Sequence, residues 1–245
     1  MSGHSKWAGI KHKKAIIDAK RGKVFTRIIR ELTISARSGG NNPEHNPRLR
    51  KAIDDAKAAN MPSDNMKKAI QRGTGELPGV NYEELIYEGY GPCGVAVMVE
   101  VTTDNKNRTH AEIRKIFSSH GGNLGETGCV GWMFQQKGCI TVEKSRISED
   151  DIISIALQSG AEDVKTEDEK CYEILTLPAD FEKTKSDLLE KNIALELAEI
   201  LMVPSTYIKL EGDDAKKMIS LMEELEAHED VKNVHSNVDL PEDVL

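Results

Sequence analysis

This sequence of 245 residues has few aromatic side chains and no long apolar run. Phe, Trp and Tyr make up 4% of the chain. The longest apolar stretch, residues 94–99, is far short of the roughly 20 residues that a membrane-spanning helix needs. The N-terminus has no apolar core of a secretory signal, and the four cysteines are dispersed without a C-x-x-C pair. We therefore expect a cytoplasmic protein with reduced thiols and no membrane contact.

The sequence patterns of familiar catalytic and metal sites are also missing. There is no G-x-S-x-G, H-E-x-x-H or G-x-x-x-x-G-K-[ST] motif, and the seven histidines do not cluster with metal-ligand spacing. The glycine-rich stretch 120–128 lacks the spacing of a phosphate-binding loop, and it is typical of a helix end followed by a tight loop. We therefore expect no enzymatic activity, no cofactor, no metal and no small-molecule substrate.

The net charge of −8 is distributed very unevenly along the chain. Residues 1–75 hold 17 Lys+Arg against 6 Asp+Glu, a net charge of +11, whereas residues 76–245 hold 16 against 35, a net charge of −19. Charges farther apart than roughly 10 Å are screened at moderate salt, so a domain attracts phosphate by its own local charge. The first third of this acidic chain therefore predicts a nucleic-acid partner.

The same first third is predicted to be helical. Residues 1–22 read as a basic arm, and residues 23–79 as a small helical domain that ends in a linker rich in glycine. Apolar residues at helical spacing predict a helix over 23–38 with basic residues on its opposite face. Two further helices are predicted from 47 to 59 and from 63 to 73.

From residue 80 the pattern changes to alternating strands and helices. Strands are predicted over 82–90, 94–103 and 129–135, with a helix over 107–120. Residues 135–204 then follow the order β-α-β-β-α-β of a ferredoxin-like domain. Residues 205–245 predict a strand over 205–210, a helix, and a last strand over 231–238.

These patterns together predict an α+β fold with a small three-helix domain and two ferredoxin-like α+β domains. The final segment, 205–245, supplies what 80–134 lacks for a complete sheet. We therefore expect one discontinuous domain, 80–134 with 205–245, that holds 135–204 as an insertion.

The basic region supplies the candidate binding residues. Residues 1–30 contain nine Lys and Arg, and Asp18 is their only acidic neighbour. Cations that reach phosphate release counterions, and aromatic side chains can stack on bases. A solvated face with a mobile terminus is the alternative, but the continuation of the charge onto a helix favours nucleic acid. The predicted nucleic-acid-binding residues are Lys6, Trp7, Lys11, His12, Lys13, Lys14, Lys20, Arg21, Lys23, Arg27, Arg30, Arg37, Arg48 and Arg50. Lys51, Lys67, Lys68 and Arg72 extend the positive surface.

A polar loop between a predicted strand and helix, residues 102–109, is a second candidate. Helix capping by its hydroxyl and amide side chains is the interpretation that we favour. The alternative is a polar contact loop at a helix N-terminus that meets phosphate. Its residues would be Asn105, Lys106, Asn107 and Arg108.

Seven short segments, spread over the whole chain, resemble the YebC/PmpR family. They are GHSKW at 3–7, KHKK at 11–14, AKRGK at 19–23, NPRLR at 46–50, IYEGYGP at 86–92, DNKNRT at 104–109 and GGNLG at 121–125. The resemblance implies a cytoplasmic protein with three domains of α and α+β type and no enzymatic activity. It implies DNA-binding transcriptional regulation, as described for bacterial members, or action in translation on the ribosome, as in relatives that include mitochondrial ones. Cys93 stands where this pattern leads us to expect glycine.

Our leading hypothesis is a DNA-binding transcriptional regulator that grips the phosphate backbone with the basic arm and first helix. A ribosome-associated translation factor that contacts rRNA or tRNA is the alternative, and electrostatics leaves the two open because both backbones carry the same charge. A protein-interaction scaffold is a second alternative, in which the acidic α+β domains bind a protein partner.

Overall fold

The structure, a computed structural model, describes residues 21–241, with side chains from Lys23 onward. Its helices are α1 (Arg21–Gly39), α2 (Pro47–Ala58), α3 (Ser63–Thr74), α4 (Lys106–Ser119), α5 (Glu149–Ser159), α6 (Phe181–Glu190) and α7 (Gly212–Ala227). Its strands are β1 (Glu83–Tyr90), β2 (Ala96–Thr103), β3 (Asn123–Leu124), β4 (Phe134–Glu143), β5 (Ala161–Lys165), β6 (Cys171–Thr176), β7 (Leu197–Pro204), β8 (Ile208–Lys209), β9 (Val231–Ser236) and β10 (Val238–Asp239).

The first three helices form a small bundle with its own core. The side chain of Asn46 accepts a hydrogen bond from the Leu49 amide at 3.1 Å and so caps α2, and Pro47 fits the first turn. Helix α3 crosses α1 very closely at Gly73, where a Cβ would lie 2.3 Å from the Thr33 carbonyl oxygen. The buried core residues are Leu32, Ala36, Leu49, Ala52, Ala56, Met61 and Ala69.

The second unit is a sheet with the strand order β3-β1-β2-β9. Strand β9 comes from the C-terminal part of the chain and pairs antiparallel with β2. Helices α4 and α7 cover one face, where Val97 and Val99 pack against Phe117 and Met218. Cys93, in the turn before β2, has a φ of 56°, a left-handed conformation that favours glycine.

The third unit is the sheet β5-β6-β4-β7, in which every neighbouring pair is antiparallel. Together with α5 and α6 it has the β-α-β-β-α-β order predicted for residues 135–204. Its first and last strands pair from Phe134 opposite Pro204 onward, so this segment enters and leaves the second unit side by side. The predicted α+β fold class is confirmed.

Two predicted strands are wrong in extent. Residues 131–133 form a 3-10 turn where a strand was expected over 129–135, because the amides of Val130 and Gly131 bond to the buried Glu88 carboxylate. The expected strand 205–210 is reduced to Ile208–Lys209. No helix within residues 21–241 is long and apolar enough to cross a membrane.

Candidate nucleic-acid interface

The basic face of α1 is turned toward the C-terminal end of α7. Lys23 Nζ donates a hydrogen bond to the Ala227 carbonyl at 2.8 Å, and Arg27 donates to the carbonyls of Glu226 and His228. The last carbonyls of a helix have no partner within the helix, and they form the negative end of its dipole. Cations of α1 therefore complete the end of α7.

Arg30 is the most deeply buried of these cations. Its guanidinium is 3.0 Å from the Asp230 carboxylate, and it also donates to the Glu229 carbonyl. The exposed fractions of the Arg30 and Asp230 side chains are 10% and 2%, so the pair is shielded from water. This ion pair joins the helical bundle to the second unit.

Asp230 collects partners from three elements. It accepts hydrogen bonds from Thr103 at the end of β2 at 3.0 Å, and from Thr109 and Arg108 in α4 at 2.6 and 2.9 Å. Burial alone would raise the pKa of Asp230, but the hydrogen bonds from Thr109 and Arg108 and the charge of Arg30 outweigh it and lower the pKa below its ordinary value. Asp230 is therefore an ionised anchor for the domain contact.

A second ion-pair network lies on the same boundary. Arg48 contacts Glu31 at 2.6 Å and Glu84 at 2.5 Å, and Lys232 contacts Glu31 at 3.1 Å. Burial tends to raise the pKa of Glu31, but hydrogen bonding to Arg48 and the charge of Lys232 lower it overall. These four residues connect α1 and α2 to the strands β1 and β9.

The outward faces of α2 and α3 carry a different set of cations. Their apolar sides, with Leu49 and Ala69, are buried in the bundle core, so the remaining positions point away from it. The exposed cations there are Arg50, Lys51, Lys67, Lys68 and Arg72. Arg37 is exposed too, and its guanidinium lies 3.4 and 3.5 Å from the carbonyls of Tyr82 and Val80.

Part of the predicted binding set lies outside the described residues. This part comprises Lys6, Trp7, Lys11, His12, Lys13, Lys14, Lys20 and the side chain of Arg21. Four of the remaining predicted residues have partners within the protein: Lys23, Arg27, Arg30 and Arg48. Lys23 and Arg27 bond the end of α7, Arg30 pairs with Asp230, and Arg48 pairs with Glu31. Their contact with nucleic acid stays a prediction, but their charge does not form the free stripe that periodicity suggested.

The predicted polar loop is largely occupied as a helix cap. Asn105 accepts from the Arg108 amide at 3.1 Å, and the Arg108 guanidinium pairs with Asp104 and Asp230, both at 2.9 Å. Lys106 and Asn107 are exposed at the first turn of α4. The capping interpretation is thus observed at Asn105. Of the four candidate contact residues, Lys106 and Asn107 are exposed without a role in the cap.

Glu88 has a buried carboxylate bound by backbone amides, an arrangement that the sequence analysis did not predict. Its buried carboxylate accepts the amides of Gly128, Val130 and Gly131 at 2.8, 2.7 and 2.6 Å. Burial works to raise the pKa of Glu88, and these three hydrogen bonds lower it overall. The last glycine of the stretch 120–128 and two residues just after it therefore donate their amides to a carboxylate, as a phosphate-binding loop would donate them to phosphate. A single Glu within a strand gives no sequence pattern that predicts this role.

Among the residues that the structure describes, one group has the spacing of metal ligands: Glu112, His228 and Asp230. His228 Nδ1 accepts the Asp230 amide at 3.1 Å, so its Nε2 carries the proton donated to Glu112 at 2.9 Å. Two guanidinium groups already contact Asp230. An ion here would have to displace these cations, which makes the group a poor metal site.

Comparison with known proteins assigns both parts of the chain to one family. Residues 5–76 match the model of the TACO1/YebC protein N-terminal domain, and residues 82–238 match the TACO1/YebC second and third domain.

Full-length relatives agree with this match. A "probable transcriptional regulatory protein" of Endomicrobium trichonymphae is 61% identical over 98% of this chain and 96% of its own. A protein with the same name from Dictyoglomus turgidum is 56% identical over 100% of this chain and 98% of its own. The crystal structure of a conserved hypothetical protein from Aquifex aeolicus, 46% identical, superposes with a TM-score of 0.79 over 93% of this chain and 94% of that one. The chain belongs to the TACO1/YebC family.

Proposed function

We propose that this protein is a non-enzymatic, DNA-binding transcriptional regulator that contacts the phosphate backbone through the basic N-terminal third. The observation that carries the proposal is the charge of +11 on residues 1–75 within a chain of net charge −8. The relatives carry the name "probable transcriptional regulatory protein", which agrees with a regulatory role.

The described residues refine where phosphate would be met. Lys23 and Arg27 already bond the end of α7, and Arg30 pairs with Asp230, so we expect these three to contribute least to phosphate binding. Arg50 on α2, together with Lys67, Lys68 and Arg72 on α3, is exposed to solvent. We propose that these outward cations act with the arm at 1–22, as a surface that binds any sequence through its backbone.

Salt dependence of binding tests this assignment. Two triple variants are compared, one with Lys11, Lys13 and Lys14 changed to Ala, and one with Lys67, Lys68 and Arg72 changed to Ala. If each cation reaches a phosphate, either variant should reduce the slope of log K against log salt for duplex DNA by about 2–3 units.

The matched control removes the same charge elsewhere. Lys209, Lys216 and Lys217 are exposed near the start of α7, and each pairs with a nearby carboxylate. Changing these three to Ala should leave the slope unchanged. Slopes that stay unchanged in both test variants as well would remove the basic third from the interface and overturn the proposal.

Crosslinking in cells separates DNA from ribosomal RNA as the main target. The intact protein is crosslinked, and the attached nucleic acid is sequenced, with the Lys67, Lys68 and Arg72 triple variant as a comparison. Enrichment of promoter DNA that falls in the variant supports the proposal. Enrichment of rRNA or tRNA instead would favour a ribosome-associated translation factor.

A further inference from the structure

Strand β1 has an outer edge that is paired at one end only. On its inner side it pairs with β2 along all eight residues, Glu83–Tyr90. On its outer side β3 provides just two pairs, Gly89 with Leu124 and Tyr90 with Asn123. Within residues 21–241, the stretch 83–87 has no strand on this side.

The backbone groups on that edge can be assigned. The Gly125 amide donates to the Glu88 carbonyl at 2.8 Å, so the peptide groups of Glu88 point outward. In an antiparallel strand these groups alternate in direction, so those of Glu84 and Ile86 point outward too. An unpaired edge of this kind is a template for another strand, and β1 contains no proline or lysine to block it.

This edge forms the floor of a groove of about 570 Å³. The first two turns of α4 make one wall, with Lys106, Asn107 and His110, and residues 124–127 make the other. The Tyr87 hydroxyl donates to the Lys106 carbonyl at 3.2 Å, and the Tyr87 and His110 ring centroids are 5.7 Å apart. Ile86, on the opposite face of β1, is 50% exposed.

We propose that this groove binds an extended acidic peptide of a partner protein, which adds as a strand to the free edge of β1. Alternate side chains of an added strand point to opposite faces. Those on the α4 side meet Lys106, His110 and the positive end of the helix dipole, which favour carboxylates. Those on the other side meet Ile86, which favours an apolar residue.

Charge argues against the other occupants. A second copy would bring its own β1, in which Glu84 is already paired with Arg48 and Glu88 is buried against backbone amides, so neither carboxylate could serve the α4 wall. Nucleic acid carries a phosphate at every nucleotide and would bring these charges toward Glu126 on the loop wall as well as toward Lys106. A peptide can place its acids on the α4 side alone.

The test uses two labelled peptides with the intact protein. One is Ser-Val-Glu-Val-Glu-Val-Ser with blocked ends, and the other has Lys in place of both Glu. Fluorescence anisotropy should show at least about tenfold tighter binding of the Glu peptide, the ratio that 1.4 kcal/mol of differential charge interaction gives. Amide NMR signals of residues 84–88 should shift on binding.

Variants locate the contact. Lys106→Glu should weaken binding of the Glu peptide by at least about fivefold, and it should reduce or reverse the preference for the Glu peptide over the Lys peptide. Lys115 is exposed on the same helix but outside the groove, so Lys115→Glu should change neither the affinity nor the preference. Ile86→Pro removes an outward amide that β2 does not use, which edge strands tolerate, and should abolish binding. Should Ile86→Pro fail to fold by circular dichroism, Lys106→Glu still decides the question.

Four results would each overturn the proposal. They are equal affinity for both peptides, no shift at 84–88, tighter binding of a short oligouridylate that Lys106→Glu weakens, and a dimer in analytical ultracentrifugation that Ile86→Pro dissolves.

Discussion

The inner face of α1 and the outer faces of α2 and α3 carry the same kinds of cation in the same small domain. On α1, Arg30 is nearly buried against Asp230, and Lys23 and Arg27 donate to helix-end carbonyls. On α3, Lys67 and Lys68 are exposed to solvent. A basic stripe on a helix thus contributes to domain assembly in one place and is exposed to solvent in another. What lies opposite the stripe decides which.

The largest expected effect comes from removing the shared carboxylate. Asp230→Ala leaves Arg30 buried without its counter-charge and takes an acceptor from Thr103 and Thr109, so the free energy of unfolding should fall by about 3–5 kcal/mol. Urea unfolding measures it, with Arg72→Ala as the exposed comparison. A loss below about 1 kcal/mol would mean that the ion pair does not anchor the domains.

A variant at Gly73 tests the close packing of α1 against α3 without changing any charge. Gly73→Ala would place a Cβ 2.3 Å from the Thr33 carbonyl oxygen and 2.8 Å from the Ala36 Cβ, so α3 must move away from α1. We expect a loss of about 1–3 kcal/mol in thermal or urea unfolding, despite the better helix propensity of alanine. Thr74→Ala, at the exposed neighbouring position, is the control. Equal stability of the two variants would show that the crossing is loose.

Low pH should weaken the ion pairs that Asp230 and Glu31 make at α1, because these depend on ionised carboxylates. It should not affect the exposed cations of α2 and α3. The folded pKa values of Asp230 and Glu31 lie below their ordinary values of 3.8 and 4.5. Their stabilisation is therefore complete above those ordinary values and is lost as pH falls through the lower folded values. Urea unfolding of wild type should lose stability from pH 5 toward pH 2, and Asp230→Asn should lose less over that range. Parallel curves would contradict this assignment.

The smallest effect on stability is expected at the outer face. Lys67→Ala and Lys68→Ala remove charges that are exposed to solvent, so each should change the free energy of unfolding by no more than about 0.5 kcal/mol. The same urea titration measures this. A loss comparable to that of Asp230→Ala would erase the distinction between the two faces.

Local sequence patterns predicted the helices of the bundle closely. Periodic apolar residues indicated a helix over 23–38, and α1 spans Arg21–Gly39. The β-α-β-β-α-β order of residues 135–204 was likewise predicted, because each of its elements has its own apolar period. The candidate site was harder, since periodicity shows that Arg27 and Arg30 are on the polar side of α1 but not what that side faces.

Long-range contacts account for the errors. Residues 129–135 have the composition of a strand, but the first half of this segment wraps around the Glu88 carboxylate, more than 40 positions earlier in the chain for Val130 and Gly131. The edge groove beside β1 was equally hidden, because the short pairing of β3 leaves it open.

The sequence by itself determined the fold class, the family and the separation of a basic first third from an acidic remainder. These follow from local composition, apolar period and ordered motifs, which need no knowledge of distant neighbours. Only the tertiary structure decided which cations form ion pairs or hydrogen bonds within the protein. A charge is neutralised by the groups within a few ångströms, and those groups, Asp230 and the α7 carbonyls, come from some 200 residues away along the chain.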